Sequence, residues 1–262
     1  LEILIKYLKN DDWIIEPLMV TMRTPGDDKN LVSGLLFSEG IIQDKSAIDS
    51  IEVNGNNKGK YDVDNSLMVT LSKGNQLDLK NLQRHFMVNS SCGVCGKGTL
   101  NAIEIAYEPN INKEGPTVNI GLICELPEIL KIKQYQFANT GGVHASALLS
   151  EEGEVLHLAE DVGRHNAVDK VSGWMLIENV NPEDKILYTT GRLTSEMVIK
   201  TALMGISTLV SRSGFTAWGV EIANQIGMTL IGRLRGKRFI CLSGENRLVR
   251  DVDPQKISDE RK

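Results

Sequence analysis

Two closely spaced cysteines are the most reactive feature of this sequence. Cys92 and Cys95 lie in the segment Ser91-Cys92-Gly93-Val94-Cys95-Gly96, which Lys97 follows directly. The glycines of this segment favour an open loop over packed core. A neighbouring thiol and a nearby cation lower the pKa of a cysteine from about 8.5 to between ~3.5 and ~7.5, and only the thiolate is a nucleophile. The segment therefore predicts an exposed thiolate that can carry a sulfane sulfur atom from a donor to an acceptor.

Three other interpretations of the cysteines remain open at this point. They could be half of a zinc site completed by His144 or His165, because the sequence has no second CxxC segment. They could be a redox-active dithiol, although such a pair normally lies beside a βαβ pattern. They could also be a structural pair in a glycine-rich loop. We expect sulfur carriage, and therefore predict no tightly held metal.

A second set of motifs could bind an anionic ligand. Three predicted strand-to-helix turns carry glycine together with arginine, and they contain Arg164 with His165, then Arg192, then a third arginine. Free backbone N–H groups and the helix dipole attract anions at such turns. His144, just before the first predicted strand of the same region, is a further candidate. For the first turn, the alternative is a solvated helix start capped by Asp161.

A basic segment between the last two predicted strands extends this pattern. Its sequence is Gly232-Arg233-Leu234-Arg235-Gly236-Lys237-Arg238. A solvated charged hairpin would explain its cations, but together with the arginine turns it is better explained as a clamp for the phosphates of a nucleotide-like ligand. The sequence contains neither a Walker-type loop nor a GxGxxG fingerprint, so ATP hydrolysis and hydride transfer lack their usual parts.

The composition limits the classes of function. The chain has 262 residues, 41% hydrophobic and 24% charged, which is ordinary for a globular protein with room for two modest domains. The net charge of −5 argues against nucleic-acid binding, which needs a basic footprint. No apolar run reaches the roughly 18 residues of a membrane span, and no secretory leader is recognisable. We therefore expect a cytoplasmic protein without nucleic-acid or membrane partners, in which Cys124 and Cys241 are ordinary buried thiols.

Hydrophobic periodicity predicts two α/β units. Residues 1–88 form a small N-terminal unit with a strand at 19–22, and residues 89–110 contain the cysteine loop and a connecting helix. Residues 111–262 form a larger domain, in which strands alternate with helices. Its predicted strands begin near residues 145, 155, 185, 208, 228 and 238, and its predicted helices begin near 120, 166, 195 and 216. This alternation predicts parallel strands in a layered α/β/α domain, with ligands at the carboxyl ends of the strands.

Several segments together resemble the FdhD family, the formate dehydrogenase accessory sulfurtransferases. The resemblance covers nearly the whole chain. The matching segments are Glu16-Pro17-Leu18, Leu36-Phe37-Ser38-Glu39-Gly40-Ile41-Ile42, Cys92-Gly93-Val94-Cys95-Gly96, Thr140-Gly141-Gly142-Val143-His144-Ala145, Glu160-Asp161-Val162-Gly163-Arg164-His165, Ala167-Val168-Asp169-Lys170 and Ser195-Glu196-Met197-Val198.

This resemblance implies a specific chemistry. Cys92 would accept sulfur from a cysteine desulfurase as a persulfide, and Cys95 would assist the transfer or resolve the persulfide. The sulfur would then pass to the molybdenum (or tungsten) bis-pyranopterin guanine dinucleotide cofactor before that cofactor enters formate dehydrogenase. The segment from Arg233 to Arg238 matches the cofactor-binding segment of the family by position. The resemblance also implies a homodimer and a C-terminal domain similar to cytidine deaminases.

Deamination itself is not expected. Zinc deaminases carry an H-x-E motif and a downstream P-C-x-x-C motif. Here His144-Ala145-Ser146 lacks the glutamate, and the cysteine pair lies upstream without a preceding proline. A protein that only binds and delivers the cofactor, using the basic residues but not the thiols, is the remaining alternative from another functional class.

Overall fold

The structure, a computed structural model, describes residues 1–55, 63–74, 111–112 and 114–251. The cysteine loop and the connecting helix predicted within 89–110 lie outside these residues. The division of the chain at residues 88 and 110 therefore stays a prediction. The element labels below number the described elements in chain order.

The N-terminal unit is a four-stranded sheet with one helix packed on it. Its strands have the order β2-β1-β4-β3, with β1 parallel to β4 and the other pairs antiparallel. Ile3, Ile5 and Tyr7 alternate along β1 and face the buried side of the helix. The elements are β1 (Glu2–Lys9), β2 (Asp12–Val20), α1 (Asp28–Ser38), a 3₁₀ turn (Lys45–Ala47), β3 (Ile48–Val53) and β4 (Ser66–Leu71).

The sequence prediction differs from the structure in the first two strands of this unit, since β1 was not predicted and β2 was placed too late. The strand predicted at 19–22 is the end of β2, which begins at Asp12 and ends at Val20. Residues 22–24 instead leave the sheet and contact the larger domain. Helix α1 ends at Ser38, and Gly40 follows with a left-handed φ of 71° that favours glycine.

The larger domain contains a six-stranded sheet with the order β11-β10-β9-β8-β6-β7. The strands and helices predicted after residue 119 are present, with ends shifted by a few residues. The elements are β5 (Val118–Asn119), α2 (Ile120–Lys131), α3 (Tyr135–Thr140), β6 (His144–Ser150), β7 (Val155–Asp161), α4 (Arg164–Glu178), β8 (Lys185–Thr189), α5 (Ser195–Leu203), β9 (Thr208–Ser211), α6 (Ala217–Ile226), β10 (Thr229–Arg235), β11 (Arg238–Ser243), a 3₁₀ turn (Glu245–Arg247) and β12 (Leu248–Val249).

The prediction of parallel strands holds only for the centre of this sheet. Strands β8, β9 and β10 are parallel, whereas β6 is antiparallel to both of its neighbours and β11 is antiparallel to β10. The reason is the length of the connections, because β6–β7 and β10–β11 are joined by short loops that permit only antiparallel hairpins. The sheet is therefore mixed.

Helices cover both faces of the six-stranded sheet. Leu148, Leu187 and Leu209 point to a core shared with α4, α5 and α6. Their neighbours Tyr188 and Val210 point to the opposite core, which α2 closes. The alternation confirms the predicted α/β/α layers. The similarity to cytidine deaminases stays a prediction.

Helices α1 and α4 join the two units at an unusually close crossing. A Cβ atom added to Gly34 would lie 1.8 Å from the carbonyl oxygen of Asp169, and one added to Gly173 would lie 1.8 Å from that of Asn30. The two glycines thus let the helix backbones touch. Beside the crossing, the buried carboxylate of Asp169 accepts hydrogen bonds from Ser38 at 2.8 Å and from Lys200 of α5 at 2.6 Å.

Candidate functional site

Four strand ends bring the candidate residues to one edge of the six-stranded sheet. His144 begins β6 and pairs with Asp161 at the end of β7. Thr189, at the end of β8, pairs with Ser146 of β6 on one side and with Ser211, at the end of β9, on the other. The turns that follow β7, β8 and β9 therefore lie next to one another, which is where ligands of α/β sheets bind.

Hydroxyl groups fix the turns after β8 and β9. The Gly191 N–H donates to Thr189 Oγ1 at 3.1 Å, and the Ser213 N–H donates to Ser211 Oγ at 2.9 Å. Ser211 Oγ in turn donates to the Gly191 carbonyl at 2.6 Å, which ties the two turns together. These bonds hold Arg192 at the rim, where its side chain is exposed.

Arg164 has the geometry of an anion-binding residue. It opens helix α4 and packs so closely on the next turn that a Cβ added to Gly191 would lie 2.9 Å from its own Cβ. Burial and the positive charge of Arg192 lower the pKa of Arg164. Arg164 Nε and Thr194 Oγ1 are both buried without a hydrogen-bond partner among the described residues. The like charges of Arg164 and Arg192 and the unused buried donor of Arg164 favour a bound anion, since an unsatisfied donor costs about 1–3 kcal/mol.

Two histidines complete this edge in their neutral form. His144 Nδ1 lies 3.2 Å from Thr190 Oγ1, and His165 Nε2 lies 3.2 Å from a carboxylate oxygen of Glu196. Burial and the charge of Arg164 lower the pKa of His144. Burial, then Lys200, Arg164 and His144, lower the pKa of His165 to about 3. The edge thus combines fixed cations with imidazoles that add no further charge.

His165 is expected to remain unprotonated throughout the physiological pH range. Its side chain is 32% exposed, so water screens part of the effect of burial, but the neighbouring cations act in the same direction. Because its pKa is lower in the folded than in the unfolded chain, stability should fall as pH decreases from about 6.5 toward 3. Histidine NMR titration checks this, and an Arg164→Gln variant should raise the pKa. A His165 pKa of 6.5 or more would contradict the assignment.

The basic hairpin begins at a bulge in β10. Arg233 has a left-handed φ of 55°, its N–H donates to the Ser213 carbonyl at 2.8 Å, and its guanidinium lies 5.5 Å from the centroid of the Phe215 ring. The bulge rotates the strand so that Leu234 joins Ile231 in the core on the α2 side. The structure therefore brings Arg233 to the same edge as Arg192.

The rest of the basic segment forms the tip of the β10–β11 hairpin. Arg235, Lys237 and Arg238 are exposed, and Gly236 makes the turn with a left-handed φ of 56°. Leu234 differs from its neighbours because its side chain is 1% exposed. Its side chain is therefore unavailable to a ligand, in contrast to the sequence prediction for this position.

The structure does not place the predicted sulfur-carrying cysteines. Cys92 and Cys95 lie outside the described residues. Within residues 1–55, 63–74, 111–112 and 114–251, no cluster of three or more His, Cys, Asp or Glu side chains is suited to a metal ion. In the same part of the chain, no helix is long and apolar enough to cross a membrane. Cys124 and Cys241 are free and only partly buried, rather than buried as predicted.

Sequence reasoning missed the roles of three residues that shape the edge. Asp161 is not the cap of α4, whose N-cap residue is Gly163, but a fully buried acceptor below the turn. Thr194 occupies the N-cap position of α5 without making a side-chain capping bond. Glu196 faces His165. The sequence shows that Thr194 is a hydroxyl residue just before a predicted helix. Whether its side chain makes a capping hydrogen bond depends on the surrounding backbone.

The fold and this edge define a class: a two-unit α/β protein with an arginine-lined rim on a mixed sheet. The FdhD/NarQ family profile matches residues 11–249. The sulfur carrier protein FdhD of Sulfurisphaera tokodaii is 42% identical over 231 residues, covering 88% of this chain and 84% of that protein. The sulfur carrier protein FdhD of Streptomyces avermitilis is 37% identical over 242 residues, covering 89% and 84%.

A solved structure has the same architecture. It is a crystal structure described as that of a formate dehydrogenase accessory protein from Desulfotalea psychrophila, with a TM-score of 0.67 and 25% identity over 95% of this chain and 90% of that chain. The chain described here belongs to the FdhD/NarQ family of sulfur carrier proteins. The comparisons favour sulfur carriage over the structural zinc protein considered as the alternative.

Proposed function

We propose that this protein takes up sulfur as a persulfide on Cys92 and transfers it to a bis-pyranopterin guanine dinucleotide cofactor of molybdenum or tungsten that is destined for formate dehydrogenase. A cysteine desulfurase supplies the sulfur. Family membership and the sulfur carrier relatives support the sulfur chemistry. One observation carries the choice of cofactor site: at the edge of the sheet, the buried Nε of Arg164 has no hydrogen-bond partner among the described residues, and the charge of Arg192 acts on Arg164.

The sulfur steps follow from thiol chemistry. The Cys92 thiolate attacks the outer sulfur of the donor persulfide, so that the donor leaves as a thiolate and Cys92 becomes a persulfide. The Cys95 thiol then attacks the inner sulfur of that persulfide. This forms a Cys92–Cys95 disulfide and releases hydrosulfide, which replaces an oxygen ligand of the metal, and the oxygen leaves as hydroxide. A thiol reductant then restores both cysteines.

The arginine edge holds the substrate cofactor during these steps. The diphosphate groups of the cofactor bind to Arg164, Arg192 and the hydroxyl of Thr194, which supply charge-assisted and neutral hydrogen bonds. The exposed cations of the hairpin, Arg235 and Lys237, extend the same positive surface to a second nucleotide arm. Neutral His144 and His165 are hydrogen-bonding groups that do not add to the repulsion between the arginines.

Guanosine diphosphate binding tests the cofactor site. An Arg164→Gln variant should bind GDP at least about tenfold more weakly than the wild type, because a hydrogen bond to a charged group contributes about 1.5–3 kcal/mol. Isothermal titration calorimetry measures the dissociation constants. Arg250→Gln is the matched control, since Arg250 is 74% exposed and pairs with Glu245. Equal affinities for Arg164→Gln and the wild type would rule out the proposed site.

A further inference from the structure

The turn that carries Arg164 is held by a fully buried carboxylate. Asp161, at the end of β7, is 0% exposed and accepts four hydrogen bonds. One oxygen, Oδ1, accepts from the Gly163 N–H at 2.9 Å and from Asn166 Nδ2 at 3.1 Å. The other, Oδ2, accepts from Lys170 Nζ at 2.9 Å and from the Thr24 N–H at 3.1 Å. Asp161 therefore joins both sides of the turn to a residue of the N-terminal unit.

Thr24 makes this connection reciprocal. Its hydroxyl oxygen accepts a hydrogen bond from the Val162 N–H at 2.9 Å, and its carbonyl accepts one from Lys170 Nζ at 2.9 Å. Asn166 also donates to the Met22 carbonyl at 2.8 Å. The backbone between β2 and α1 is thus bonded to the β7–α4 turn at several points. The turn is shaped by a segment more than a hundred residues away in the chain.

The larger domain does not fix this turn by itself. Gly163, the N-cap residue of α4, makes no side-chain capping bond, and glycine leaves the backbone of the turn free to adopt other conformations. The hydroxyl of Thr24 satisfies the N–H of Val162, two residues before Arg164. Without this acceptor the Val162 N–H loses its partner, and the direction of Arg164 depends on the bonds of Asp161 and on the packing of Arg164 against Gly191.

We propose that Thr24 and Asp161 are positioning residues for the phosphate-binding turn, so that the N-terminal unit completes the ligand site of the larger domain. This inference rests on the proposed cofactor site and adds a requirement to it. Neither residue contacts the ligand. They act by holding the backbone at 162–164, so that Arg164 is preoriented before the diphosphate arrives, which reduces the ordering cost of binding.

Thr24→Val is the sharpest test, because it removes the hydroxyl and keeps the size and branching of the side chain. The variant should bind GDP and inorganic pyrophosphate about tenfold more weakly than the wild type, because it loses one hydrogen bond that preorganises the turn. Its affinity for guanosine should be unchanged. Thr24→Ser, which keeps the oxygen, should restore phosphate binding. Calorimetric titration with the three probes, at a temperature where circular dichroism shows each variant fully folded, gives the result.

The outcomes separate this inference from the function on which it rests. If the wild type binds GDP and Thr24→Val binds it equally well, positioning by Thr24 is wrong and the cofactor site stands. If Thr24→Val weakens guanosine as much as GDP, the effect is a general loss of structure and the inference is also wrong. If the wild type binds GDP no more tightly than it binds pyrophosphate, the guanine part of the proposed cofactor is wrong. The pyrophosphate affinities of the wild type and Thr24→Val then still decide the role of Thr24.

Discussion

A Cys92→Ala variant is expected to lose activation of formate dehydrogenase entirely while keeping its affinity for GDP. Removing the thiol removes the atom that bonds to the transferred sulfur, and the remaining Cys95 thiol cannot serve both as the acceptor of the sulfur and as the nucleophile that releases it. The measurement has two parts. Mass spectrometry of the wild type after incubation with a cysteine desulfurase and cysteine should show one added sulfur on the Cys92 peptide, and the activity of coexpressed formate dehydrogenase should disappear in the variant.

Cys124 and Cys241, which lie within the part of the chain that the structure describes, are matched controls for this experiment. Burial raises the pKa of both the Cys124 and the Cys241 thiol, so neither is a good nucleophile at neutral pH. Cys124→Ala and Cys241→Ala should therefore retain the activation of formate dehydrogenase. Full activation by Cys92→Ala would instead establish a protein that only binds and delivers the cofactor.

Gly34→Ala is expected to destabilise the protein by about 3 kcal/mol or more, although alanine is normally the better helix residue by ~1 kcal/mol. The added Cβ would lie 1.8 Å from the carbonyl oxygen of Asp169, so α1 and α4 would have to separate. Gly173→Ala should have a similar effect, because its Cβ would meet the Asn30 carbonyl at the same distance. For a chain of this size, the melting temperature should fall by roughly 6–12 °C.

Gly142→Ala is the control for the glycine crossing. Gly142 lies in an exposed loop, and a Cβ there would come no closer than 3.8 Å to the Thr140 carbonyl, an ordinary contact. Thermal unfolding of the three variants should therefore separate Gly142→Ala, near the wild type, from the other two. If Gly34→Ala instead raised the melting temperature, helix propensity would outweigh the contact, and the close crossing would be wrong.

Local patterns in the sequence predicted most of the larger domain. The alternation of β-branched runs with amphipathic segments located its strands and helices, because the side-chain periods of strands and helices differ. The position of Arg164 and Arg192 at strand-to-helix turns placed them on one rim, since parallel strands present their carboxyl ends together. The first strand, Glu2–Lys9, was not predicted, although its alternating pattern was present in the sequence.

Other features depend on contacts between residues far apart in the chain. The sequence around Leu234 looks uniformly basic and exposed, and only the bulge at Arg233 decides that Leu234 faces the core. Gly34 and Gly173 look like poor residues for a helix interior, and only the crossing of α1 with α4 explains them. Neither property follows from local periodicity.

The sequence alone indicated the family and the rim of arginines, and it predicted the cysteine pair as the sulfur carrier, because these depend on residue types at fixed local spacings. The tertiary structure decided how the rim is built. It shows that the buried Nε of Arg164 has no hydrogen-bond partner within the described part of the chain, that the pKa of His165 is lowered, and that Asp161 and Thr24 join the two units beneath the turn. Burial and hydrogen-bond partners arise from packing between segments that are far apart in the chain. Local patterns in the sequence do not show which of these segments will meet.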